Sequence, residues 1–130
     1  MEPDMSAQTA ISDVEVRRFL ANMGVSEHVK AMTAYSGMIT AALLFFEHNP
    51  ALDFGPSCLI AYGYSRQRFY NYFGGREELL LLVASLLDEL GARNENHHDI
   101  IMLARNTIRH MDKDKTRYKF FLKYKQGFTS

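Results

Sequence analysis

The chain has 130 residues and a mass of 14.9 kDa, room for one domain, and its 47% hydrophobic and 23% charged residues exclude disorder throughout. Cys58 is the single cysteine, which excludes a disulfide framework. No uninterrupted apolar run approaches the roughly 18 residues of a membrane span, the closest being residues 37–46, closed by Glu47 and His48.

Fifteen basic and fifteen acidic side chains cancel. Their placement is uneven. Residues 1–50 hold six acids and three bases, residues 51–100 seven and four, and residues 101–130 two and eight. A basic tail therefore follows an acidic body, suited to phosphates or to the protein's own acidic surface. The opening MEPDMSAQ is acidic and polar, unlike a signal peptide. The expectation is a soluble cytoplasmic protein without a membrane partner.

Residues 1–11 read as a loose polar arm. Ser12-Asp13-Val14-Glu15 has the form of a capping box, opening a short helix that runs to about Asn22 and stops at Gly24. Ser26 caps a longer helix over about 27–48, in which Ile39, Ala42, Leu43 and Phe46 form one apolar stripe. Asn49-Pro50 ends it. Short helices are expected over 58–62 and 66–72, broken at Gly63 and at Gly74-Gly75. Residues 76–90 give the clearest helix, with Leu79, Leu82, Val83, Leu86 and Leu90 on one face and an apolar surface wide enough to suit a core or a dimer interface. Gly91 and the polar run 93–98 read as a loop. Ile100, Ile101, Ala104, Ile108 and Met111 define a further amphipathic helix. Residues 111–115 read as a turn, and Tyr118, Phe121, Leu122 and Lys125 as a last basic helix. No alternation of period two persists for five residues. The fold class is all-α, with five to seven helices.

The stretch SCLIAYGYSRQRFYNYFGGREELLLL, residues 57–82, concentrates the chemistry. A glycine joins two short helices, as in a helix-turn-helix. The second carries Arg66, Gln67, Arg68, Tyr70, Asn71 and Tyr72 behind the cap Ser65. Arginine grips guanine O6 and N7 with two bonds, and Gln or Asn does the same for adenine N6 and N7. Hydroxyls and helix N-termini hold phosphates.

Residues of about 36–90 resemble the DNA-binding domain of TetR-type transcriptional regulators. Ile39-Thr40-Ala41-Ala42-Leu43-Leu44-Phe45-Phe46 is similar to that family's I-x-x-A-A-x-x-L-F helix. Tyr62-Gly63-Tyr64-Ser65, followed by Tyr70-Asn71-Tyr72-Phe73, is similar to its A-G-V-S-x-x-x-x-Y-x-x-F. Arg76-Glu77-Glu78-Leu79-Leu80 is similar to its K-E-E-L-L. The resemblance implies a TetR-like helix-turn-helix domain over 26–92, which the residue patterns flank with an N-terminal arm and short helix over 1–25 and a short basic helical segment over 93–130. It implies that Gly63 makes the turn and that Phe69 and Phe73 pack the second helix on the core. Arg66, Gln67, Arg68 and Asn71 would then face bases, and Ser65, Tyr70, Tyr72 and Arg76 phosphates. The 40 residues after Leu90 are too few for the family's ligand-binding domain.

Two functions follow as expectations. One is a small regulator that binds double-stranded DNA as a homodimer. The other is a protein-binding regulator, an anti-activator or adaptor, that keeps the fold and grips another protein such as a transcription factor. The arginine pair favours the first. The zero net charge and the acidic residues 1–35 favour the second. No motif pairs Cys58 or a histidine for catalysis, and no glycine loop has nucleotide-binding spacing, so neither an enzyme nor a cofactor is expected. His97-His98, with Glu95 and Asp99, lacks the register of a metal site.

Overall fold

A computed structural model describes residues 9–23, 29–49 and 54–110. Among these the architecture is all-α, with six helices and no strand: α1 (Asp13–Asn22), α2 (Val29–His48), α3 (Pro56–Ile60), α4 (Arg66–Tyr72), α5 (Arg76–Leu90) and α6 (Glu95–His110). No described helix is long and apolar enough to cross a membrane. The turn and basic helix expected beyond residue 110 lie outside the described residues.

The α2 helix is the central strut. Met38, Ile39, Ala41, Ala42, Leu43, Leu44 and Phe46 are all buried along it. It packs against α1 on one side and against α3, α5 and α6 on others. Side chains satisfy its last carbonyls: His48 Nδ1 meets Leu44 O at 2.9 Å, while Asn49 and Asn96 donate to Phe45 O and Phe46 O.

The capping box at Ser12 forms. Ser12 Oγ accepts from Glu15 N–H, and the Glu15 carboxylate accepts from Ser12 N–H. Ile11 and Val16, at the two positions of a hydrophobic staple, are both buried. Residues 9–11 are therefore not a loose polar arm. Ile11 is sealed in the core, and Ala10 is gripped at both ends: its N–H donates to Glu47 Oε1 at 3.1 Å and its carbonyl accepts from Arg93 at 2.6 Å. Arg93 also forks onto both Glu15 oxygens, at 3.1 and 2.6 Å.

That guanidinium, helped by the Ser12 N–H, lowers the Glu15 carboxyl from 4.5 to about 2. Glu15 raises Arg93 in return. A depressed carboxylate contributes stability that is full above its unfolded value and is lost as pH falls through its folded one. The Glu15 contribution should thus fade between pH 4.5 and about 2. A side-chain NMR titration should find Glu15 ionised until about pH 2, and Arg93→Ala should move its midpoint back toward 4.5. An ordinary midpoint in the native chain would contradict the fork.

Further along, α3 begins at Pro56 rather than Cys58, because Gly55 takes the N-cap and proline is pre-set for a first helical position. Residues 79–87 of α5 are buried on every side within the one chain. The wide apolar surface of that helix is thereby consumed by its own core. Its main partner is α6, through Ile100, Ile101, Ala104 and Ile108. The α6 helix begins at Glu95, correcting the loop expected over 93–98. The Asn94 side chain accepts from His97 N–H at 2.9 Å and caps it.

Candidate nucleic-acid interface

The turn between α3 and α4 has an identifiable form. Tyr64 N–H donates to Leu59 O at 3.1 Å, and Gly63 N–H donates to Ile60 O at 3.1 Å. This nested pair is a Schellman motif, which needs a left-handed residue at its joint. Gly63 supplies it with φ +90°. The chain leaves the turn extended at Ser65, whose Oγ accepts from Arg68 N–H at 3.1 Å and starts α4.

A single fully buried side chain, Phe69, anchors the seven residues of α4. Its ring stacks on Phe73 at 5.5 Å and meets Tyr70 edge-on at 4.9 Å. The other faces of α4 point outward. Ser65, Arg66, Gln67, Arg68, Tyr70, Asn71 and Arg76 are all exposed. Tyr72 is the exception. It is half-buried, packed edge-on against Tyr35 at 5.2 Å, and its carbonyl accepts from the Tyr35 hydroxyl.

The helix divides the eight predicted side chains between two open grooves. Ser65, Gln67, Arg68, Asn71 and Tyr72 line one of about 620 Å³, together with Lys30 and Thr33 from the start of α2. Among the described residues, no carboxylate lines it. Arg66, Tyr70 and Arg76 line the second, of about 510 Å³, with residues 55–57, Gly74, Gly75 and Glu77. Among the described residues, Lys30, Arg66, Arg68 and Arg76 take part in no ion pair; the pairs that form use Asp13, Glu15, Glu47 and Asp88. The acids near this face are engaged at the start of α5, where Glu78 accepts from Gly74 N–H and Glu77 sits in the first turn.

Sequence reasoning missed Lys30 and Thr33. They lie more than 30 residues before α4, and only the packing of helices brings them beside it. A lysine and a threonine within the first five residues of a helix were the available signal.

One further contact shapes the site. The Arg68 guanidinium lies over the Tyr64 ring, 5.6 Å from its centroid. Burial pushes the Tyr64 phenol up, and the Arg68 charge opposes that shift. The histidine cluster does something else. His97 is fully buried, accepts from Arg93 N–H at Nδ1 and meets Glu47 Oε1 at 3.0 Å through Nε2. Among the described residues, no group of three or more His, Cys, Asp or Glu is arranged to hold a metal ion. Comparison with protein-family models, with curated proteins and with solved structures gives no match.

Proposed function

We propose that the protein is a small transcriptional regulator that binds double-stranded DNA through α4 and acts as a homodimer. The observation that carries this reading is the groove beside α4. It sets Lys30 and Arg68 among Ser65, Gln67 and Asn71, with no carboxylate on its walls among the described residues. Unpaired cations attract phosphates, and exposed Arg, Gln and Asn are the side chains that read base edges. Arg66, Gln67, Arg68 and Asn71 face bases in this reading. Ser65, Tyr70 and Arg76 face phosphates, with Lys30 added to them; Tyr72 supports the groove wall. The resemblance of residues 36–90 to TetR-type domains points the same way. Two copies would set their α4 helices about one turn of DNA apart, roughly 34 Å. Because the core of each chain consumes α5, the pairing surface would come from elsewhere.

The test is binding to fragmented genomic DNA across a salt series. Sequence-selective binding should weaken steeply with salt, as counterion release requires. Arg68→Ala should cost about 1–3 kcal/mol on the selected site. No binding near physiological salt, from protein shown to be folded, would sink the reading and leave the protein-binding regulator in its place.

A further inference from the structure

We infer that Tyr64 is a positioning residue that fixes the guanidinium plane of Arg68 before DNA arrives, and that Gly37 exists to let Tyr64 do so. The inference rests on the DNA-binding reading and adds to it a residue that sets specificity without touching a base.

Three observations meet at Tyr64. Its backbone is locked by the Schellman motif, with its N–H bound to Leu59 O. Its hydroxyl is driven against α2 at Gly37, where a Cβ on residue 37 would collide with it. Its ring carries the Arg68 guanidinium above it, at 5.6 Å. Glycine in the interior of a twenty-residue helix is otherwise unfavourable, so its presence calls for a reason in packing. The reason here is room for the phenol. The outcome is a ring whose backbone is tied to α3 and whose far end packs on α2 at Gly37, with the Arg68 cation lying over its face.

The contact matters because an arginine reads guanine through a planar fork of two parallel bonds. A free arginine side chain samples many rotamers and loses that freedom on binding. One already resting on a ring loses less, and it presents its fork in one plane. The Arg68 backbone is fixed as well: its N–H donates to Ser65 Oγ at 3.1 Å. Arg66, one residue past the same cap, lines the other groove and, among the described residues, has no such ring contact. The two arginines should therefore differ: Arg68 selects one base, and Arg66 does not depend on Tyr64.

The experiment has two arms. In the DNA-free protein, NMR should find the Arg68 side-chain resonances shifted by the Tyr64 ring current. The shift should persist in Tyr64→Phe and vanish in Tyr64→Leu. In the second arm, each protein selects duplexes from a randomised pool. Wild type and Tyr64→Phe should enrich one consensus. Tyr64→Leu should lose its preference at one base pair, the same one that Arg68→Ala loses, with overall affinity reduced about two- to fivefold and the salt slope unchanged. Gly37→Ala should behave like Tyr64→Leu, and Gly37→Ala/Tyr64→Phe should recover, because removing the hydroxyl makes room for the methyl group. A purely structural role would instead weaken binding evenly across sequences, and that pattern would overturn the inference. So would Tyr64→Leu that keeps the full base preference. If wild type enriches no sequence at all, the DNA reading fails and takes this inference with it, which separates the two failures.

Discussion

Phe69→Ala should cost about 3–5 kcal/mol, the range for emptying a buried aromatic site. That is a large part of the roughly 5–15 kcal/mol that holds a domain of this size together. The reason is local. Seven residues are too few to hold a helix by hydrogen bonding alone, and Phe69 is the one side chain of α4 that is completely enclosed. Removing it takes away the ring stacked on Phe73, and with it the seat of every exposed donor on the helix. Phe69→Leu keeps most of the volume and should lose only about 1–2 kcal/mol. Chemical denaturation measures both variants, and hydrogen exchange shows whether the amides of α4 open before the rest. A loss under about 1.5 kcal/mol for the alanine variant would mean that α4 is held by something other than this anchor.

Much of this arrangement is legible in the sequence wherever the signal is local. Ser12 and Glu15 announce a helix start three residues apart. Ser65 and the Gly74-Gly75 break bound α4, and Arg76 to Leu90 bound α5, because caps, glycines and apolar spacing act within one or two turns. Other features fail to show because they are settled at long range or by weak signals. Asn94 caps α6 without a Glu or Gln at the third helical position, and the polar residues that follow hide the start of the helix. Ile11 reads as part of an arm until the folded core encloses it. Lys30 joins the groove only because the fold brings the start of α2 beside α4. Gly37 looks like a flaw in a helix until Tyr64 is seen to fill the space above it. The width of α5 suits an interface in the sequence, yet within the folded chain α2 and α6 are packed against it.

The same long-range logic governs the clamp on the N-terminal helix, which gives the second large effect. Glu47 sits in the last turn of α2 and touches two other segments at once. One of its oxygens accepts from the Ala10 N–H and from His97 Nε2, at 3.1 and 3.0 Å. Arg93 N–H donates to His97 Nδ1 at 3.2 Å, so the ring carries its proton on Nε2 and donates it to Glu47. His97 has no exposure to water. Glu47→Ala would leave its buried N–H without an acceptor and release Ala10 as well. A hydrogen bond to a charged group is worth about 1.5–3 kcal/mol, and a buried donor left unsatisfied costs about 1–3. Because the two figures overlap, the expected loss is about 2–4 kcal/mol. Glu47→Gln retains one acceptor and should lose about half as much. Since the clamp acts on α1 and not on α4, hydrogen exchange should accelerate at Val16, Phe19 and Leu20 before it does in α4, and the selected DNA site should stay the same. Uniform loss of protection across all six helices would show that α1 is part of the same cooperative unit as the DNA-facing helices. A loss below about 1 kcal/mol would show instead that water replaces Glu47 at His97.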